Sequence, residues 1–210
     1  MEIPREAYRA IEDIVGKDNL TDDPAFLDSY AFQWLAELVR PNRSHYMPRP
    51  WAVVMPLSTE EVQAVTRVCN KYRIGIKPIS TGWYHWAAPL KDDVPPQPCD
   101  MRRMNRILEI DEKNRYAVVE AGVIVAQLQA EVMRRGLNLN IIGAGCSTSI
   151  VASACAYFGS GPSTYYMGHN SDNLLGQEWV APSGEIIRAG SLSSDCGWFC
   201  GEGPGPSVRG

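Results

Sequence analysis

The chain has 210 residues, of which 45% are hydrophobic and 21% are charged. This length and composition fit one domain, or two small subdomains with a shared core, and they exclude an intrinsically disordered protein. The net charge of −4 excludes the strongly basic balance of nucleic-acid binders. No apolar run reaches the roughly 20 residues that a membrane-spanning helix needs. The N-terminus is acidic and amphipathic, unlike a signal peptide, so we expect a cytoplasmic protein.

The six cysteines and three histidines are scattered along the chain. No CxxC pair occurs, and no two histidines have the spacing of a helical metal site. We therefore predict reduced thiols and no metal centre.

The first part of the chain is predicted to be helical. Apolar residues recur with helical spacing over residues 5–16 and 24–39. A polar, proline-punctuated connector follows at residues 40–50. We therefore separate an N-terminal helical segment, residues 1–44, from a main domain that begins at residue 45.

A βαβ unit opens the main domain. Residues 51–55 form a short apolar run, a helix begins at Ser58 or Thr59, and Gly75 precedes a second apolar run at residues 76–79. This order predicts two parallel strands joined by a helix. Loops at the carboxyl ends of such strands bind ligands in α/β folds, and small residues there let backbone N–H groups approach a phosphate. Ser-Thr-Gly at residues 80–82 is also ordinary turn chemistry, and residues 87–98, with four prolines, are predicted to be a loop.

The second half alternates strands, helices and glycine-rich loops. Residues 116–121 are predicted to be a strand, residues 125–135 a helix ended by Gly136, and residues 174–181 and 186–189 a hairpin. The small residues at 152–156 fit two readings equally: a surface that a flat ligand approaches, or tight helix packing.

Four segments in a fixed order carry a family resemblance. They are Val53–Pro56 with the helix start Thr59–Val62, the loop Ile79–Gly82, the pair Asp100–Glu109 and Ala117–Val123, and the strand Gly184–Gly190. Together they resemble the FAD-binding domain of the vanillyl-alcohol oxidase and p-cresol methylhydroxylase family, which also occurs in glycolate oxidase and D-lactate dehydrogenase flavoprotein subunits. The resemblance covers about residues 45–192.

The resemblance implies an α+β fold of the PCMH type. Two α/β subdomains, about residues 45–110 and 111–192, would sandwich an extended FAD. It implies that the cofactor-binding residues are Pro56, Ile79, Ser80, Thr81, Gly82, Trp83, Tyr84, His85, Gly122, Gly143, Ala144, Gly145, Cys146, Ser147, Thr148, Ile150, Val151, Ala154, Gly159, Gly161, Gly168, Asn170, Glu178 and Val180.

Two histidines carry expectations of their own. Some family members join FAD to a histidine in or near the first loop, and His85 is the candidate here; an unmodified loop histidine is the alternative. His169 follows Gly168 in a stretch that the resemblance brings near the flavin. We expect it to act as a catalytic base or donor, with a packed, hydrogen-bonded histidine as the alternative.

The chain departs from the family pattern in two places. Residues 83–86 are bulky where the family usually has glycines, so they form an aromatic wall or a less permissive loop. The family continues into a large substrate-binding cap domain, whereas residues 201–210 are a loop rich in glycine and proline. We expect residues 45–210 to be an FAD-binding domain with an incomplete C-terminal end, completed by a C-terminal half or a partner subunit, and to form an oligomer.

Two functions remain open at this point. One is the dehydrogenation of a small substrate, a phenolic alcohol, an alkylphenol or a 2-hydroxy acid, by hydride transfer to flavin N5. The other is a non-catalytic electron-transfer or assembly subunit that exchanges electrons with an acceptor protein. A nicotinamide-binding Rossmann domain is disfavoured because Thr148 stands where the third glycine of GxGxxG belongs.

Overall fold

A computed structural model describes residues 3–32, 47–82, 97–143, 145–156, 159–194 and 197. The fold is α+β and divides into two compact units. The first comprises residues 1–103 and 182–185, and the second comprises residues 104–181 and 186–210. The chain passes between the units at residues 103 and 104, earlier than the boundary expected near residue 110.

The N-terminal helices belong to the first unit. Helix α1, Arg5–Val15, buries Ala7, Ile11 and Val15, whose four-residue spacing places them on one face. Helix α2, Pro24–Ala31, begins at Asp23, whose side chain accepts a hydrogen bond from the Ala25 N–H at 2.9 Å. The predicted second helix is thus confirmed as far as Ala31, while residues 33–46 lie outside the described residues. Helix α1 packs in the core of this unit with strand residues such as Val54 and Cys99.

A four-stranded sheet forms the middle of this unit. Its strands are β1, Leu20–Thr21; β2, Val53–Val54; β3, Ile76–Ile79; and β4, Gln97–Asp100, in the spatial order β1-β2-β4-β3. The two strands of the predicted βαβ unit are confirmed, but each pairs in parallel with β4, which lies between them.

Strand β4 corrects the prediction of a loop through residue 98. All four of its residues are buried, and the buried amide of Gln97 accepts hydrogen bonds from the N–H groups of Trp51 and Ala52 at 2.6 and 3.0 Å. Proline and glutamine are poor strand signals, so the local pattern concealed a strand that tertiary pairing stabilises.

Helix α3, Thr59–Tyr72, connects β2 to β3. It begins as predicted: the hydroxyl of Ser58 accepts a hydrogen bond from the Glu61 N–H at 3.2 Å. It ends at Arg73, whose φ of 55° is left-handed. Side chains on its outer surface donate to the turn at residues 182–185, from Gln63 to the Gly184 carbonyl and from Asn70 to the Pro182 carbonyl.

In its described residues, the second unit contains two antiparallel hairpins and three α-helices. Strands β5, Ile107–Asp111, and β6, Tyr116–Val119, form one hairpin; strands β7, Gly176–Val180, and β8, Ile186–Gly190, form the other. The helices are α4, Val125–Met133; α5, Ile150–Ala156; and α6, Thr164–Met167. Val123, Leu128 and Val132 form the buried core that holds α4 to the first hairpin.

Candidate functional site

Three backbone segments of the second unit are joined to one another. They are residues 140–143, 159–161 and 168–170. The Gly143 N–H donates to the Ser160 carbonyl at 2.8 Å, and the Asn170 N–H donates to the Gly159 carbonyl at 3.1 Å. These segments contain five of the predicted cofactor-binding positions, which the structure therefore brings together.

Glycines make this close approach possible. A Cβ on Gly161 would overlap the carbonyl oxygen of Ile141, and a Cβ on Gly159 would come within 2.7 Å of the Cβ of Asn170. Real Cβ atoms do not tolerate such separations, so neither position accepts a side chain without a backbone shift.

The loop after the first of these segments fits a diphosphate. Gly145 has a φ of 106° and open space where a Cβ would lie. Within the described part of the chain, the N–H groups of Cys146 and Ser147 have no hydrogen-bond acceptor. Both residues are exposed, and anion binding by backbone N–H groups requires such accessible residues. The residues present therefore fit the phosphate part of FAD.

The end of this loop is fixed by hydroxyl groups. Thr148 and Ser149 are buried, and they donate to the carbonyls of Gly145 and Ala121 at 2.7 and 2.8 Å. Because these hydrogen bonds fix the end of the loop, little conformational freedom is lost when an anion binds to its unpaired N–H groups.

For the small residues of helix α5, the structure shows the tight packing that was one of the two interpretations. Ser153 is buried and its hydroxyl accepts a hydrogen bond from the Asn170 amide at 3.3 Å, which is tight packing. Ala152 is exposed, while Ile150, Val151 and Ala154 are half-buried. The approach of a flat ligand to this face remains a prediction.

The turn at Gly168 and His169 is held by several hydrogen bonds. The His169 N–H donates to the Asp172 carboxylate at 2.8 Å, and its carbonyl accepts from the Asn173 amide at 2.8 Å. The imidazole accepts from the Asp172 N–H in a reciprocal cap. The His169 side chain is 48% exposed, so it is hydrogen-bonded and also accessible to a ligand.

In the first unit, the strand before the Ser80–Gly82 loop ends opposite a residue with a buried carboxylate. Asp100 pairs with Ile79 in the β3–β4 register, and its oxygens accept from the Tyr30 hydroxyl at 2.5 Å and from the Nε of Arg102 at 2.7 Å. Burial, reinforced by the hydrogen bond to Asp100, raises the pKa of Tyr30, so this phenol stays protonated. The loop itself is half-buried, with Gly82 at a φ of 68°.

The other predicted positions are distributed over both units. Pro56 is buried after β2, and the buried Gly122 donates its N–H to the Met104 carbonyl at 2.7 Å. Glu178 and Val180 lie on β7, where the Glu178 carboxylate accepts from Arg188 at 3.0 Å. The remaining predicted residues lie outside the described residues: Trp83, Tyr84, His85 and Ala144.

Sequence reasoning missed Asn140. Asn140 is 4% exposed and its Nδ2 donates to the Gly168 carbonyl at 2.7 Å. A polar residue between Leu139 and Ile141 was the available signal, since a buried amide in an apolar run needs a specific partner. Its partner is distant in sequence, so the sequence could not identify it.

The chain is similar in sequence to proteins with an FAD-binding domain. A family described as "FAD binding domain" matches residues 50–190. The chain is 29% identical over 190 residues to 1'-carboxy-chondrochloren decarboxylase of Chondromyces crocatus, covering 88% of this chain and 32% of that protein. It is 26% identical over 180 residues to D-2-hydroxyglutarate dehydrogenase of Stutzerimonas stutzeri, covering 85% and 36%.

Among solved structures, p-cresol methylhydroxylase with substrate bound matches with a TM-score of 0.78 and 25% identity, over 96% of this chain and 39% of that one. The chain thus spans about a third of the length of these relatives. No helix in the described ranges is both long and apolar enough to cross a membrane. With its family match, fold and glycine-rich segments, the chain belongs to the FAD binding domain family of PCMH-type flavoproteins, a family of FAD-linked oxidoreductases, and its cofactor is FAD.

Proposed function

We propose that the chain is the FAD-binding part of an enzyme that dehydrogenates a small substrate. The observation that supports this proposal is the loop at residues 143–149. Its Cys146 and Ser147 N–H groups have no acceptor among the described residues, its end is anchored by Ser149, and it lies next to the joined glycine segments, an arrangement that suits a phosphate. When bound, FAD supplies hydride acceptance at its N5 atom. The chain binds the cofactor and holds it in a single position.

The substrate classes in this proposal are phenolic alcohols or alkylphenols and 2-hydroxy acids. Support comes from relatives whose names include D-2-hydroxyglutarate dehydrogenase and p-cresol methylhydroxylase. Because this chain spans about a third of such proteins, we propose that a C-terminal half or a partner subunit supplies the substrate-binding cap, and that the assembly is oligomeric.

We assign a proton-holding role to His169 within this proposal. The ring nitrogen that accepts the Asp172 N–H carries no proton in the neutral imidazole. The neutral ring therefore carries its proton on the other nitrogen, and it can donate that proton in a hydrogen bond to a bound group. This favours a donor over a base for His169 in its neutral form.

The test of the overall function is anaerobic reduction. The chain, purified with any copurifying subunit and loaded with FAD, is mixed with an alkylphenol, a phenolic alcohol and a 2-hydroxy acid, and the visible flavin absorption is followed. Bleaching by one class supports dehydrogenation and identifies the substrate class. A flavin that none of them reduces, but that exchanges electrons with an acceptor protein, would instead establish the electron-transfer function.

The test of His169 uses His169→Asn. Asparagine keeps an acceptor for the Asp172 N–H and lacks the imidazole, so the turn should remain folded. We expect normal FAD binding and a reduction rate at least about 100-fold lower. Reduction at the wild-type rate would contradict the role of His169 and leave the dehydrogenase proposal intact.

We also propose a reducing compartment, the cytoplasm. The described cysteines 69, 99, 146 and 155 are free thiols, as is usual where glutathione keeps thiols reduced. Thiol titration of protein isolated under alkylating conditions would test this, since a native disulfide would contradict it.

A further inference from the structure

The buried side chain of Asn140 joins two segments that are far apart in the sequence. Its Nδ2 donates to the carbonyl oxygen of Gly168 at 2.7 Å, across 28 positions of the chain. Asn140 begins the segment that leads into the loop at residues 143–149, and Gly168 precedes His169. The hydrogen bond therefore connects the start of one cofactor-binding segment to the turn of another.

The chemistry of the partner determines how the amide is oriented. A carbonyl oxygen can only accept, so the NH2 group of Asn140 must face Gly168. The Oδ1 atom then points the other way, and among the described residues this buried oxygen has no hydrogen-bond partner. A buried acceptor without a partner costs free energy, which is unusual in a folded protein.

This cost argues against a purely stabilising role. Replacement of a buried polar side chain by an apolar one of similar shape removes the hydrogen bond and also removes the unpaired oxygen, so the net effect on stability is small. What an apolar residue cannot reproduce is the position of the Gly168 carbonyl. Gly168 has a φ of 74°, which lies in the left-handed region. The orientation of the peptide group that contains its carbonyl sets the direction in which the chain continues to His169.

We propose that Asn140 is a positioning residue for FAD, which fixes the Gly168 turn against the loop at residues 143–149. The turn has other hydrogen bonds, from the Asn170 N–H to the Gly159 carbonyl and locally to Asp172 and Asn173. The hydrogen bond from Asn140 is the one that joins it directly to the segment that leads into the loop at residues 143–149. The inference concerns how FAD is held and does not depend on the substrate.

The test compares two isosteric variants with a matched control. Asn140→Leu removes both polar atoms, and Asn140→Asp places a carboxylate oxygen against the Gly168 carbonyl. The control is Gln129→Leu on α4. The half-buried Gln129 likewise donates through its amide, to the Asn138 side chain at 2.9 Å, and its buried Oε1 is unpaired among the described residues. All proteins are prepared as the full chain with any copurifying subunit.

The readouts are the FAD dissociation constant, the visible circular dichroism of the bound flavin, and amide hydrogen exchange at residues 168–170 without FAD. We expect Asn140→Leu to weaken FAD binding about tenfold, to alter the flavin dichroism and to speed exchange at the turn, with a larger effect for Asn140→Asp. Gln129→Leu should leave all three unchanged.

Two results would overturn the proposal. One is wild-type flavin affinity, dichroism and exchange in both Asn140 variants. The other is a loss of affinity that occurs equally in Gln129→Leu and follows the thermal midpoints of the proteins without FAD, because a general loss of stability would then explain it.

Discussion

The α-carbon of Gly161 lies against the carbonyl oxygen of Ile141, with no room for a side chain between them. A Cβ at this position would overlap that oxygen and would also approach the Gly143 nitrogen to 3.0 Å. The packing of these two residues places the segment before the loop at residues 143–149 against the segment near Gly159. The shape of the site therefore depends on the absence of one methyl group.

We therefore expect Gly161→Ala to abolish FAD binding. The new methyl group must displace residues 141–143, which lead into the loop that we propose binds the phosphates of FAD. Isothermal titration with FAD measures the effect, and a loss of at least about 100-fold in affinity is expected. Gly136→Ala is the control: Gly136 has a φ of 70° but open space around it, so backbone strain of about 1 kcal/mol arises there without a clash. Equal FAD affinity of the two variants would contradict this account of the site.

Bound FAD should protect Cys146 from thiol reagents. Of the described cysteines, Cys146 is exposed, whereas burial raises the pKa of Cys155 to about 11 and that of Cys69 and Cys99 to about 12. In a Cys196→Ser, Cys200→Ser background, iodoacetamide near neutral pH should modify Cys146 first. Peptide mass spectrometry should show roughly tenfold slower modification with saturating FAD. Unchanged modification of Cys146 would place the cofactor away from this loop.

Tyr30→Phe should destabilise the first unit. The variant removes the hydroxyl that donates to the buried carboxylate of Asp100 at 2.5 Å and leaves Arg102 to neutralise it. The expected cost is about 1–2 kcal/mol in the free energy of unfolding, measured by urea denaturation. Tyr8→Phe is the control, because the Tyr8 hydroxyl lies 3.4 Å from the Leu20 carbonyl and should contribute under about 0.5 kcal/mol. Equal stability of the two variants would show that Asp100 does not need Tyr30.

Arg106→Met should lower stability more near neutral pH than in acid. Burial raises the pKa of Glu120, but hydrogen bonds from the side chain and backbone N–H of Arg106 outweigh burial and hold this pKa below its usual 4.5. In the wild type, this stabilisation is present above about pH 4.5 and is lost as the pH falls through the lowered pKa. In the variant, burial dominates and the pKa rises, so protonation at low pH relieves the unpaired carboxylate.

The difference in melting temperature between wild type and Arg106→Met should therefore be at least about 2 °C near pH 7 and smaller near pH 4. Arg134→Met provides the control, because its partner Glu131 is on the surface and such pairs contribute little. A gap that widens on acidification would contradict the pKa shift of Glu120.

The sequence predicted most elements of the fold because their signals are local. Helix α3 has its serine cap and an apolar face, and the β7–β8 hairpin has its Pro-Ser-Gly turn. Strand β4 was missed because Gln97 and Pro98 are not strand formers, and what stabilises the strand is pairing on both sides. Local propensity cannot report pairing between distant segments.

The candidate site likewise contains residues that the sequence predicted and residues whose role depends on distant contacts. The glycines at 143, 159 and 161 were predicted from the family resemblance, and the structure explains two of them by contacts that forbid a Cβ. Asn140 was missed because its importance comes from a single hydrogen bond to a residue 28 positions away. His169 was recognised as a candidate, but its cap with Asp172 became visible only when the local geometry was known.

The last prediction concerns the bond between FAD and the chain. His85 is the candidate for covalent attachment, and it lies outside the described residues. The loop around it carries tryptophans at 83 and 86 where glycines would give the backbone freedom to approach the flavin. We therefore expect a non-covalent complex, in which acid precipitation releases the yellow colour into the supernatant and His85→Ala retains FAD. Colour that stays in the wild-type pellet but leaves the His85→Ala pellet would prove the covalent bond, whereas colour that stays in both pellets would assign it to another residue.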